Sequence, residues 1–172
     1  RLTNLAGVSV RLMSGADFNT ISLSTVTSNA AFAAALTISD SSTNTVSGSY
    51  VQGSTAAVIS ASTGTVFSAS VLVATNTAGS ALVLTGGSVN LSVSSSTLWP
   101  GTQGMGVYLD RDNSGTIALS SSVVTGGRYG VYAATQSAGA ALWISSNTIL
   151  PVPVAAFDVF GIYFNGLTSG AT

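Results

Sequence analysis

Gly106-Val107-Tyr108-Leu109 returns as Gly130-Val131-Tyr132-Ala133 and again as Gly161-Ile162-Tyr163-Phe164. Upstream, Ala81-Leu82-Val83-Leu84, Ala56-Ala57-Val58-Ile59, Ala33-Ala34-Ala35-Leu36 and Gly7-Val8-Ser9-Val10 keep its shape, with start-to-start spacings of 26, 23, 25, 25, 24 and 31 residues from first copy to last. A period in this range marks one structural unit repeated along an axis. The second and fourth positions of each copy are apolar: Val8/Val10, Ala34/Leu36, Ala57/Ile59, Leu82/Leu84, Val107/Leu109, Val131/Ala133 and Ile162/Phe164. Period 2 is the mark of a strand with one buried face.

A polar turn follows each copy, as in Ser60 to Gly64 or Asp110 to Gly115, and then a second alternating segment. Its apolar pairs read Ile21/Leu23, Val46/Gly48, Phe67/Ala69, Leu91/Val93, Ile117/Leu119 and Leu142/Ile144. A Ser/Asn-rich bend then leads to a third apolar point at Leu98, Val124 and Ile149, with Leu72 and Val26 in the same place earlier. No stretch carries a convincing helical period, and Ala30 to Leu36 falls in register with the strands. Pro100 sits in a turn, and Pro151 and Pro153 sit in the loop that lengthens the last spacing, where proline does not interrupt a central strand. Three short strands per turn of about 25 residues predict an all-β solenoid of about seven coils, with residues 1–172 as one domain. Stacked at the spacing of paired strands, seven coils make a rod roughly 30–35 Å long.

Composition narrows the roles. Only 5% of the 172 residues are charged, the net charge is −1, and Lys, Glu, His and Cys are absent. Nucleic acid is a poor partner for a chain without clustered cations. No apolar run approaches the ~20 residues that span a bilayer as a helix. Regularly placed Val, Leu, Ile and aromatics argue against disorder. The absence of Cys says little about compartment.

The Gly-Val-Tyr-Leu, Tyr-Gly-Val-Tyr and Phe-Gly-Ile-Tyr stretches, each after a bend like Ser145-Ser146-Asn147-Thr148-Ile149, resemble right-handed parallel β-helix repeats. These are the coils of pectin-lyase-like proteins and of bacterial surface and autotransporter-like passengers. The resemblance covers most of the chain, best from Ala81 to Asn165. It implies a right-handed parallel β-helix, and it implies a polar ladder at the bend through Ser96, Ser122 and Asn147. The scaffold hosts lyases, hydrolases, adhesins and tailspikes, so function has to be argued from sites.

Polysaccharide cleavage needs paired carboxylates, or metal-binding acids with a basic proton abstractor. Of Asp17, Asp40, Asp110, Asp112 and Asp158, only Asp110 and Asp112 are neighbours, with Arg111 and Arg128 near them, and no His or Lys can serve as base. The expectation is no catalytic residue and no cofactor. Asp110-Arg111-Asp112-Asn113-Ser114-Gly115 matches the opening of an EF-hand loop, which makes Asp110, Asp112 and Ser114 candidate Ca²⁺ ligands. Ser121 stands where that loop needs a bidentate Glu, which favours a plain Asp/Asn/Gly turn.

The third, outward positions of the first strand run Ser9, Ala35, Val58, Val83, Tyr108, Tyr132 and Tyr163. Three successive tyrosines predict a surface stripe, serving as ring packing, a lateral interface or a glycan platform. Trp143 and Trp99 are further outward candidates. An ice-binding array would need Thr at one outward position in turn after turn. The second strand offers Ser22, Ser47, Ser68, Ser92, Ala118 and Trp143 instead.

The expected function is non-catalytic and structural: a stalk, adhesin or filament subunit of an extracellular or cell-surface protein. Neither end offers an amphipathic helix or polar cap. The chain is therefore expected to be a segment of a longer solenoid or a subunit stacking end to end. Its expected partners are copies of itself, head to tail or lateral, or adjoining coils. The alternatives are a glycan-binding module using the tyrosine stripe with Trp143, and a partial polysaccharide-active β-helix around Asp110 and Asp112.

Overall fold

The computed structural model describes residues 1–137, 139–153 and 158–166. Thr172 and the rest of 167–172 lie outside the described residues, as does part of the loop that lengthens the last spacing. Each turn of the chain lays down three strands. The first turn holds β1 (Leu2–Asn4), β2 (Val10–Met13) and β3 (Thr20–Ser22); the second holds β4 (Thr25–Ser28), β5 (Ala34–Ser39) and β6 (Thr45–Ser47). Then come β7 (Tyr50–Gly53), β8 (Thr55–Ser60) and β9 (Thr63–Ser68), followed by β10 (Val71–Ala74), β11 (Leu82–Thr85) and β12 (Val89–Ser94). The fifth and sixth turns hold β13 (Thr97–Trp99), β14 (Met105–Leu109), β15 (Ser114–Ser120), β16 (Val123–Thr125), β17 (Tyr129–Ala133) and β18 (Ala141–Ser145). β19 (Thr148–Leu150) and β20 (Phe160–Phe164) belong to a seventh.

Every third strand pairs in parallel, which generates two seven-stranded sheets and one six-stranded sheet. The first sheet starts at β1, the second at β2 and the third at β3. The chain is thus an all-β parallel solenoid without helix among its described residues, with six complete turns and two strands of a seventh where about seven copies were expected.

Inward side chains stack in columns along the axis. In the first sheet these are Val26, Val51, Leu72, Leu98, Val124 and Ile149, in the place the third apolar point predicted. In the second sheet they are Leu36/Ile38, Ala57/Ile59, Leu82/Leu84, Val107/Leu109 and Val131/Ala133, all buried. Each large member contributes roughly 1.5–3 kcal/mol through burial.

The register differs from the sequence reading in the first two turns. Val10 pairs with Leu36, and Leu36 with Ala57, so the early copies begin at Ser9 and Ala35, two residues later than expected. Val8 and Ala34 are therefore not the inward partners, and the outward stripe opens with Arg11 and Thr37 in place of Ser9 and Ala35. A slip of one residue would have turned every side chain to the wrong face. A slip of two preserves the alternation and is invisible to it. Ala30 to Ala33 form no strand; pairing starts at Ala34.

The third sheet carries a second correction. Val46 and Phe67 pair with each other, and Phe67 pairs with Val93 rather than with Leu91. The expected inward residues Leu23, Gly48 and Ala69 instead occupy a corner, where they share positive φ (47, 54 and 47°) with Ser95, Ser121 and Ser146. Leu23 is 89% exposed. The other inward column, two residues upstream of Val46, Phe67 and Val93, is polar in the early turns and apolar later: Asn44, Thr65, Leu91, Ile117, Leu142. Outward, Ser22, Ser47 and Ser68 continue into Ser94, Ser120 and Ser145, an unbroken serine column; Ser92, Ala118 and Trp143 belong with Val66.

The corner has a repeated chemistry. After the left-handed residue, a Ser or Asn turns inward and accepts a hydrogen bond from the backbone N–H of its counterpart one turn earlier. Ser49 Oγ accepts from Ser24 N (3.1 Å), Ser70 Oγ from Ser49 N (3.2 Å) and Ser96 Oγ from Ser70 N (3.1 Å). Ser122 Oγ accepts from Ser96 N (3.1 Å) and Asn147 Oδ1 from Ser122 N (2.8 Å). The ladder expected through Ser96, Ser122 and Asn147 therefore extends through every earlier turn. Ser62, Ser88 and Asn113 form a second ladder at the next corner, each accepting from the turn before.

These placements separate two substitutions that alternation treats alike. Leu23→Gly should shift stability by no more than about 1 kcal/mol, since lost strain offsets added chain entropy. Leu98→Ala should cost about 2–5 kcal/mol in denaturant unfolding. A cost for Leu23→Gly as large as that for Leu98→Ala would place Leu23 inside. In the ladder, Ser96→Ala should cost about 1–3 kcal/mol by orphaning the Ser70 N–H, while Ser95→Ala, one residue away and exposed, should stay within about 0.5 kcal/mol.

Candidate functional site

The second sheet begins each turn with a very small residue because its start lies against the first sheet. A Cβ on Gly106 would sit 2.1 Å from Val124 Cγ1, and one on Gly130 would sit 2.1 Å from Ile149 Cγ2. Two residues on, the alternation turns the tyrosine outward. In-register pairing of Tyr108 with Tyr132 and of Tyr132 with Tyr163 then builds the stripe the sequence predicted.

The rings engage one another. Tyr108 and Tyr132 meet edge to face, with centroids 5.5 Å apart and planes at 63°. Tyr132 and Tyr163 stack at 5.4 Å and 24°. A second column, unassigned from sequence, completes the group: Met105 pairs with Tyr129, and Tyr129 with Phe160. Tyr129 is buried, stacks on Phe160 at 5.9 Å and touches Tyr132 and Tyr163 at 5.2 and 5.4 Å. The Arg128 guanidinium lies 4.9 Å from the Tyr129 ring centroid, a cation–π contact. The signal for this column was present in Met105-Gly106, Tyr129-Gly130 and Phe160-Gly161, a large apolar residue before each glycine.

At the edge of the stripe, Asp110 accepts from the Tyr108 hydroxyl (3.0 Å) through Oδ1 and from Thr85 Oγ1 (3.0 Å) through Oδ2. For Asp110, burial works to raise the pKa. The donors that oppose it, the Arg111 backbone N–H, Thr85 and Tyr108, with the Arg111 charge, hold the carboxyl below its ordinary 3.8. Burial, then the hydrogen bond and the negative charge of Asp110, push the Tyr108 hydroxyl above 10.0.

The Asp110-to-Gly115 stretch is a corner of the solenoid. Asp112 and Gly115 take positive φ, and Asn113 turns fully inward, where Nδ2 donates to the carbonyls of Leu84 (3.2 Å) and Asp110 (2.6 Å). Ser114 starts β15. Asp110 is thus engaged by sheet donors, whereas Asn113 is spent on the interior ladder. Among the described residues no three His, Cys, Asp or Glu side chains gather where a metal ion could sit.

Trp143 and Trp99 point outward as expected, at 65% and 51% exposure. They lie on different sheets, Trp143 beside Ala118 on the third and Trp99 beside Val73 on the first. The structure therefore groups the three stripe tyrosines and leaves the tryptophans apart from them.

No family model, curated protein or solved structure matches the chain.

The pairing of Asp110 with its donors has a pH signature. A carboxyl with a lowered folded pKa stabilises the fold above its unfolded pKa, and the stabilisation is lost as pH falls through the folded value. Acid titration of the melting temperature should fall more steeply for the parent than for Asp110→Asn below the ordinary carboxylate range. Identical acid limbs would show that Asp110 is not held by these donors. At the alkaline end the raised Tyr108 contributes stability below 10.0 that fades above it, so Tyr108→Phe should flatten that limb.

Proposed function

We propose that the chain is a non-catalytic, rod-forming segment of an extracellular or cell-surface protein, a stalk, adhesin or filament subunit, that associates through the ends of its solenoid. One observation carries this reading. The inward columns of the second sheet run from Val131 and Ala133, 1% and 2% exposed, to Ile162 and Phe164, 40% and 47% exposed. These end residues are core side chains by position and surface side chains by exposure. Among the described residues β20 is also the edge strand of the second sheet, and a strand edge is a template for further parallel pairing. At the other end Leu2 is exposed and Val10, Leu12 and Ile21 are only half-buried, so the same description holds there.

Low charge supports the reading, because two such faces meet without like-charge repulsion. The resemblance to pectin-lyase-like and autotransporter-like passenger coils supports a surface location. The lack of Lys, Glu and His supports a role without chemistry. A head-to-tail contact of this kind is heterologous and builds an open filament unless its rotation closes a ring.

A glycan-binding role is the second reading, and Trp143 is its best support: a large exposed ring on the outer sheet face, in one column with Ala118 and Ser92. The tyrosine stripe supports it less, since its rings turn their faces toward one another.

Electron microscopy of the purified chain, dilute and then concentrated, tests the first reading. The expected outcome is unbranched fibres with an axial repeat at a multiple of the ~4.8 Å strand spacing. Dispersed short rods at every concentration would overturn it, and binding on a soluble-glycan array by the parent but not by Trp143→Ala would establish the second reading in its place.

A further inference from the structure

Tyr132 and Tyr163 are the one stacked tyrosine pair on the described surface. They sit directly opposite in the β17–β20 ladder. Their ring centroids are 5.4 Å apart with planes at 24°, and both rings are only half-buried, so each keeps an edge in solvent. Asn165 Nδ2 donates to the Tyr132 hydroxyl oxygen (2.8 Å), which leaves the phenolic proton of Tyr132 able to depart. From this geometry we propose that Tyr132 and Tyr163 form an oxidative cross-linking site, joined by a carbon–carbon bond between their rings.

The chemistry needs a one-electron oxidant, of the class a haem peroxidase generates from hydrogen peroxide. Each phenol gives up one electron and one proton and becomes a phenoxyl radical. The two radicals couple through the ring carbons ortho to oxygen, and the hydrogens displaced from those carbons return to the oxygens, restoring both phenols. The net change is the loss of two hydrogens from the protein, which reduce one hydrogen peroxide to two waters. No other co-reactant enters.

The ladder selects this pair. Parallel in-register pairing holds the two rings together at a high effective concentration, so the second radical finds the first before another molecule does. Tyr108 meets Tyr132 edge to face and its hydroxyl is tied to Asp110, so its ortho carbons are turned away from alignment. Tyr129 is buried and packed between Phe160 and Arg128. Tyr50 lies on another sheet, with its hydroxyl donating to Gln52 Oε1. The bond would join β17 to β20 across 31 residues of chain, clamping the turn whose core positions are least covered. The inference depends on the register of these two strands and not on the role proposed for the solenoid ends.

The test treats the full chain with hydrogen peroxide and a haem peroxidase over a wide dilution series. Dityrosine fluorescence is expected in a band of monomer size, at a rate independent of protein concentration. Peptide mapping should find the Tyr132 and Tyr163 peptides joined, lighter by two hydrogens than their sum. Tyr163→Phe keeps the ring and the stack, as circular dichroism would verify, and should abolish the monomeric product; Tyr50→Phe should leave it unchanged. Dityrosine confined to dimers, a map joining other tyrosines, or an undiminished monomeric product in Tyr163→Phe would each overturn the proposal.

Discussion

The structure depends on how the chain turns its corners without abandoning backbone hydrogen bonds. Between strands the backbone bends through a left-handed residue, and the next N–H points into the solenoid where no strand partner can reach it. A buried N–H without an acceptor costs about 1–3 kcal/mol. The inward Ser or Asn of the following turn supplies that acceptor, and its own proton goes to a carbonyl, as when Ser70 Oγ donates to Ser68 O and Ser122 Oγ to Ser120 O. Each turn thus completes the corner of the one before. The apolar columns fill the space that this frame encloses, and the strands stay in register because the corners do.

The same dependence explains where the interior is permissive. In the third sheet the inward column two residues upstream of Val46 and Phe67 holds Asn44 and Thr65, and then Leu91, Ile117 and Leu142. Asn44 accepts from the Asn19 backbone through Oδ1, while its Nδ2 and the Thr65 hydroxyl are buried without a hydrogen-bond partner. The early turns are less apolar inside than the later ones. Their other columns are nevertheless buried, with Val26, Leu36, Ile38, Val46, Val51 and Phe67 all closed to solvent, so the unmet polar groups sit in an otherwise apolar interior.

The outer face follows from the inner one. Small residues at the start of each second-sheet strand let the first sheet pack close, and alternation then forces the residue two places on to the surface. Where that residue is tyrosine in three successive turns, parallel pairing sets the rings at strand spacing and they settle against each other. The aromatic group is therefore a consequence of the repeat, with Tyr129, Phe160 and Arg128 adding a second layer. Its chemistry is confined to the last turns, which sets the two ends of the solenoid apart, although both ends leave core positions exposed.

Sequence alone determined the period, the strand content, the parallel stacking and the outward tyrosines, because each depends on residue type at a fixed parity. It also determined the third apolar column, where Ser-Ser-Ser-Thr-Leu and its copies mark the corner directly. Register was decided only by the tertiary structure. A two-residue slip leaves every inward residue apolar or small, so alternation could not tell Ala34/Leu36 from Leu36/Ile38, nor exclude Leu23 from the core. What distinguishes them is the corner, where a left-handed residue must precede an inward hydroxyl that meets an N–H one turn away. That requirement joins residues about 25 positions apart in sequence, and only the stacked turns bring the two halves of it together.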